Sequence, residues 1–243
     1  MPLHFLLDEQ VTAGPGDAVV LTGSEAHHAA TVRRVRVGEE VTVGDGRGAW
    51  LAGVAESVTP REVVVRVASR TDAAAPHPRI VLVQALAKGD RDELAVQAAT
   101  ELGIDEIVPW QAARSVSRWD AAKAAKGRDR WAGIVREAAK QAHRPWVPIV
   151  AELTATRALT VRAAHSRVLV LEPTASTALT AVDFDDDRDI VLVVGPEGGV
   201  AAEELASLEE AGAMLVRLGD SVLRTSTAGP AALAVVSAAL GRW

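Results

Sequence analysis

The sequence predicts an α/β protein in two parts, a small β domain over residues 1–72 and a larger domain over residues 73–243 built on a mostly parallel sheet. Three observations carry this reading. Short Val-rich runs broken by Gly fill residues 18–70. From residue 79 onward, longer apolar runs alternate with helical stretches. Between them, Arg70-Thr71-Asp72-Ala73-Ala74-Ala75-Pro76-His77-Pro78 lacks periodicity and holds two prolines, which disfavour continued strand or helix. Strands alternating with helices form parallel sheets buried on both faces, so their sequences read as continuous apolar runs.

In the first part, Ala18–Leu21, Glu40–Val43, Ala49–Val54 and Glu62–Val67 read as strands, with Asp45-Gly46 as a hairpin signal. In the second, strands are expected at Ile80–Leu86, Glu106–Trp110, Arg167–Leu171, Asp189–Val194 and Ala213–Leu218. The helix after the first of these has Asp90 as its expected cap, Leu94, Ala98 and Leu102 on one face, and Gly103 at its end. Another helix is expected from about Arg128 to His143. Trp131, Ile134, Val135, Ala138 and Ala142 form its buried stripe, and Arg136, Lys140 and Arg144 form a row pointing away from the core. A last helix, Ala231 to Leu240, is apolar nearly all round and needs cover on more than one side.

Composition narrows the function. With 49% hydrophobic and 24% charged residues, disorder and fibrous repeats are excluded. The longest uncharged stretch, Thr225 to Gly241, has 17 residues, short of the about 20 that a membrane span needs. The start, Met1-Pro2-Leu3-His4-Phe5, has no basic-then-apolar leader, so a cytoplasmic location is expected. The absence of Cys removes disulfides, thiolate chemistry and cysteine-based metal sites, and six scattered His give no metal set.

A net charge of −6 argues against a nucleic-acid partner, but the average hides a pattern. Residues 114–144 hold nine basic and three acidic groups, with Trp119 and Trp131 among them. Basic residues interleaved with flat aromatics suit phosphate contacts and stacking on unpaired bases, while the plain alternative is a solvated helix face.

Two segments follow strands directly and are candidate ligand loops. Gly195-Pro196-Glu197-Gly198-Gly199 precedes a helix, and Leu218-Gly219 through Ala228 carries hydroxyls and Arg224 ahead of the last helix. Glycine permits close backbone approach, and ligands of open α/β sheets sit outside the carboxyl ends of strands. Gly44-Asp45-Gly46-Arg47-Gly48-Ala49 fits a dinucleotide fingerprint but leads into a strand, so it is rejected. No G-x-x-x-x-G-K-[ST] or G-x-S-x-G run occurs. Neighbouring His27 and His28 diverge and do not make a metal pair.

Taken together, these segments resemble the ribosomal RNA small subunit methyltransferase E family, the uridine-N3 methyltransferases of 16S rRNA within the SPOUT superfamily. The resemblance rests on Gly195 to Gly199, Leu218-Gly219 and Val222-Leu223-Arg224-Thr225-x-Thr227-Ala228. It extends to Glu25-Ala26-His27-His28 with Val32-Arg33-Arg34 and Gly38, to Ala87-Lys88-Gly89-Asp90-Arg91, to Ala99-Thr100-Glu101-Leu102-Gly103, and to Arg130-Trp131 with Glu137 to Gln141 and Arg144. Members usually show Pro-Arg-Ile where Asp220-Ser221-Val222 stands, Glu where Ser226 stands and Lys where Ala98 stands.

The resemblance implies an N-terminal PUA-like β barrel that binds RNA, a C-terminal SPOUT domain with a deep trefoil knot, S-adenosyl-L-methionine as methyl donor, and a homodimer, here through the C-terminal helix. The expected cofactor residues are Leu171, Glu172, Pro173, Thr174, Gly195, Pro196, Glu197, Gly198, Gly199, Leu218, Gly219, Val222, Leu223, Arg224, Thr227 and Ala228. The expected contacts to 16S rRNA in the small subunit are His28, Arg33, Arg34, Lys88, Arg91, Arg114, Arg136, Lys140 and Arg144. The N3 of uridine carries a proton that must leave before or during attack, so a base or a charge stabilising the anion is required. Arg224 is the electrostatic candidate and Glu197 the weaker proton acceptor. Methylation of ribose 2′-OH or tRNA, or silent RNA binding, are the competing readings.

Overall fold

The computed structural model describes residues 2–243. The chain gathers into two compact units, one reaching Ala75 and including Ala139–Val147, the other made of Pro76–Ala138 and Pro148–Trp243. The sequence reading cuts the chain once and leaves 139–147 with the second part. In the structure that segment packs in the first unit through tertiary hydrogen bonds: Gly48 N to Pro145 O (2.9 Å), Val147 N to Gly46 O (3.0 Å) and Trp146 Nε1 to Ala73 O (3.0 Å).

The first unit is a five-stranded mixed sheet. β1 (Leu3–Leu6), β2 (Ala18–Thr22), β3 (Glu40–Gly44), β4 (Ala49–Val58) and β5 (Glu62–Asp72) stand in the order β1-β3-β4-β5-β2. The pairing of β1 with β3 is parallel and the others are antiparallel. Alternating residues such as Val19 and Leu21 of β2, or Val63, Val65 and Val67 of β5, turn inward onto Phe5, Val41 and Leu51. The turn at Asp45-Gly46 is held by the Asp45 carboxylate, which accepts from Arg47 N and Ala49 N, while Gly46 takes φ 66. A short helix, α1 (Gly23–His27), follows β2.

The second unit is a parallel six-stranded sheet. β6 (Ile80–Ala85), β7 (Glu106–Trp110), β8 (Ile149–Val150), β9 (Arg167–Leu171), β10 (Ile190–Val194) and β11 (Met214–Val216) stand in the order β11-β9-β10-β6-β7-β8. β6, β7 and β10 are buried at every position, which is why they read as unbroken apolar runs.

Helices α2 (Arg91–Glu101), α3 (Ala121–Gln141), α4 (Thr156–Ala163), α5 (Ala202–Glu210) and α6 (Thr225–Ala239) complete the chain. α2 departs from expectation at both its cap and its face. Asp90 makes no side-chain cap bond; Asp92 instead accepts from Ala87 N at 3.1 Å. The buried residues are Asp92, Ala95, Val96, Ala99 and Thr100, and Leu94 is 50% exposed. Small residues win this face because α2 lies against α6, where close approach favours Ala over Leu. α6 starts six residues before the predicted Ala231 and rests on α2, β6 and β10, so part of its cover comes from within its own chain.

Candidate active site

The carboxyl ends of β9, β10 and β11 meet in a cavity of about 410 Å³. Three loops build it. Leu171, Glu172 and Pro173 leave β9; Gly195, Pro196, Glu197 and Gly199 leave β10; Leu218, Gly219, Val222, Leu223, Arg224 and Ala228 run from β11 into α6. Each loop belongs to the predicted set, so the structure brings thirteen of the sixteen expected cofactor residues to one wall. Thr174, Gly198 and Thr227 stand off it. The Thr174 hydroxyl donates to Glu172 Oε1 at 2.9 Å, Gly198 lies against Arg114, and Thr227 is exposed on the first turn of α6.

Six further residues line the cavity: Ser221 and Thr225 lie within the expected Leu218–Ala228 loop without being singled out by the sequence, while Arg91, Val194, Val200 and Val216 are not expected there. Val194 and Val216 are the last residues of their strands, a position that itself marks a ligand edge. Thr225 opens α6, and its hydroxyl donates to Gly195 O at 2.8 Å, joining the second and third loops.

Glycine matters at Gly195 for packing. A Cβ there would stand 2.8 Å from Val200 Cγ2 and 3.3 Å from Val200 N. At Gly199, with φ 71, the need is conformational.

Charge at the rim is organised around Glu197. Its Oε1 accepts from Lys88 N at 3.0 Å and from Arg91 Nη1 at 2.9 Å. Partial burial raises the carboxyl pKa, but the hydrogen bonds from its own and Lys88's backbone and from Arg91 outweigh it, and the pKa is lowered overall. Glu197 is thus held ionised and engaged, which weakens it as a proton acceptor. Arg91, one of the expected RNA contacts, lines the cavity and pairs with Glu197.

The other expected RNA contacts divide between the units. Lys88 and Arg114 are exposed in the second, where Arg114 Nη1 donates to Gly198 O at 3.2 Å, and Arg136 is half-buried. His28, Arg33, Arg34, Lys140 and Arg144 lie in the first. Arg33 and Arg34 are exposed just after the π-helical turn His28–Val32 that continues α1, and Arg34 takes the left-handed φ of 56. His28 is half-buried, its ring edge-on to Phe5.

The predicted outward row fails at Lys140. Its side chain is 9% exposed and its Nζ lies 2.9 Å from Glu25 Oε1. Helical periodicity places a residue on a face but does not say which faces a second strand system will cover. Beside this pair, His4 stacks on Trp50 with centroids 4.1 Å apart and donates or accepts at Thr42 Oγ1. Burial, with positive charge from His143 and Lys140 nearby, pushes the His4 imidazole down to about 3.

A multi-loop cavity at the ends of a parallel sheet marks a ligand-binding α/β domain, and the family matches make its class that of an RNA methyltransferase. Residues 75–237 match the RNA methyltransferase domain family and residues 21–68 match the RNA methyltransferase PUA domain family. The chain is 43% identical to ribosomal RNA small subunit methyltransferase E of Mycobacterium bovis, over 94% of this chain and 89% of that one. It is 31% identical to the Bacillus subtilis protein of the same name, over 96% and 93%. Among solved structures, ribosomal RNA small subunit methyltransferase E from Neisseria gonorrhoeae, bound to S-adenosyl methionine, is 30% identical and aligns with a TM-score of 0.87 over 98% of each chain. The chain belongs to the ribosomal RNA small subunit methyltransferase E family.

Proposed function

We propose that this protein transfers a methyl group from S-adenosylmethionine to N3 of one uridine in 16S rRNA of the small ribosomal subunit. The observation that carries the reading is the cavity itself. Three strand-end loops enclose about 410 Å³, within the roughly 300–1,000 Å³ usual for small-ligand sites. Its walls fit the donor. Half-buried Leu171, Leu218 and Leu223 offer apolar surface for a flat base, and the glycine-bearing loops offer backbone groups at close range. When bound there, S-adenosylmethionine supplies a methyl group on a positively charged sulfur.

The chain's own residues then have separate tasks. Arg224, exposed at the start of α6 and on the cavity wall, supplies positive charge to the uracil anion left when N3 loses its proton. Glu197 fixes the Arg91 guanidinium and the Lys88 backbone at the rim, and the N3 proton passes to solvent. Arg33 and Arg34 of the first unit, a PUA-like barrel in this reading, hold rRNA phosphates, with Lys88 and Arg114 doing so from the second. The second unit is of the SPOUT type with a deep trefoil knot, and two copies pair through α6 in the cytoplasm. Half-buried Ala231, Ala234 and Val235 of α6 support that pairing.

The test incubates purified protein with small subunits lacking the modification and isotopically labelled S-adenosylmethionine, then digests the rRNA to nucleosides. Label in 3-methyluridine is the expected outcome. Label in a 2′-O-methyl nucleoside, or label only with tRNA, overturns the assignment.

A further inference from the structure

Gln84 is the anomaly of the central sheet. It occupies β6, a strand buried at all six positions whose other members are Ile80, Val81, Leu82, Val83 and Ala85. A fully buried amide in such a strand is costly unless it is bonded. Gln84 is paired in register with Val194, the residue before Gly195. Its Nε2 donates to Ala85 O at 3.1 Å and to Thr225 Oγ1 at 3.1 Å. The Thr225 hydroxyl in turn donates to Gly195 O at 2.8 Å. One buried relay therefore runs from the sheet through the first residue of α6 to the first residue of the loop after β10. Both ends of the Thr225–Gly195 bond lie on the cavity wall, whereas Gln84 does not.

A lone Thr225 hydroxyl can swing about its C–O bond and choose among acceptors. With Gln84 Nε2–H occupying one lone pair, the hydroxyl hydrogen is directed to Gly195 O. Gln84 Oε1, by contrast, has no partner among the described residues. The side chain is thus poorly explained as a device for stability alone, since a buried acceptor left unmatched opposes folding.

We infer that Gln84 is a positioning residue for the cofactor site: it orients the Thr225 hydroxyl and so sets the spacing between the β10 loop and the β11–α6 loop. This rests on the cofactor reading above. Gln84 acts only through Thr225 and never meets the ligand.

The test compares the parent with Gln84→Met, Thr225→Val and the double variant, reading S-adenosylmethionine affinity by calorimetry and stability by thermal melting. Met keeps the length of Gln and removes both its donor and its unmatched acceptor. The expected result for Gln84→Met is affinity lower by roughly three- to tenfold, the worth of one neutral hydrogen bond, with a melting temperature at or above the parent's. In the double variant the affinity should be no lower than in Thr225→Val alone, because both changes act on one hydroxyl.

Affinity of Gln84→Met within about twofold of the parent, or independent losses that multiply in the double variant, overturns the inference. If Gln84→Met does not fold, Thr225→Ser decides. It keeps the hydroxyl and should bind at least about threefold more tightly than Thr225→Val, and equal affinities overturn the relay. A parent that binds no S-adenosylmethionine overturns the cofactor reading and this inference together, whereas a binding parent with an unaffected Gln84→Met overturns this inference alone.

Discussion

Gly195→Ala is the smallest change that should damage the cavity. The added Cβ would stand 2.8 Å from Val200 Cγ2 and 3.3 Å from Val200 N. Carbon pairs settle at about 3.5–4.0 Å, so the methyl must be displaced by most of an ångström. Val200 is only 5% exposed and cannot swing into solvent, which leaves the backbone from Gly195 to Val200 to move. Overpacking of this kind costs about 1–3 kcal/mol. If the cost falls wholly on the ligand-competent form of the loop, S-adenosylmethionine affinity drops by roughly 5- to 150-fold.

Calorimetric titration at 25 °C measures this directly, and Gly198→Ala is the internal comparison. A Cβ at Gly198 meets nothing closer than Arg114 Cβ at 3.5 Å, an ordinary contact, so its loss of affinity should be the smaller of the two. Affinity of Gly195→Ala within about twofold of the parent, or a loss at Gly198→Ala as large, refutes the reasoning.

Three further outcomes follow from the charges of the first unit. Replacing exposed Arg33 by Ala and left-handed Arg34 by Gly should lower the slope of log affinity for rRNA against log salt by about 2, one for each phosphate no longer neutralised; an unchanged slope removes both from the interface. Lys140→Ala strands Glu25, whose Oε2 already has no partner among the described residues, and should cost about 3–5 kcal/mol in denaturant melts; a cost below about 1 kcal/mol would mean that the pair is exposed in solution. His4 has a pKa of about 3 in the folded chain against 6.5 for the ordinary imidazole, so below 6.5 the unfolded chain binds a proton that the native one refuses. Stability should therefore be undiminished above pH 6.5 and fall as pH drops toward 3, by up to about 1.4 kcal/mol per pH unit in urea titrations. An equal slope in His4→Gln would assign that fall to other groups.

What the sequence shows best is whatever is local and repeated. The buried strands from Ile80, Glu106, Arg167 and Ile190 announce themselves as apolar runs, and Asp45-Gly46 announces its turn. The cavity loops are legible because glycine and the strand-end rule point to the same places. What stays hidden depends on pairing across long separations. β1 is four residues of ordinary composition that become a strand only beside β3. Lys140 looks solvent-facing until residues 139–147 are seen to pack in the first unit. Leu94 looks like core until α6 takes the Ala face of α2. Gln84 stands out as the one polar residue of an apolar run, but the sequence does not show its partner, because Thr225 lies 141 positions away.

The central claim, methylation of N3 of a single uridine in 16S rRNA, is tested most directly in cells lacking this protein. Their small-subunit rRNA, digested to oligonucleotides and read by mass spectrometry, should lack one 3-methyluridine that the parent carries. Restoring the protein should restore that mark, and Arg224→Ala should not. Loss of a 2′-O-methyl group, loss of a tRNA modification, or no loss at any position would contradict the account.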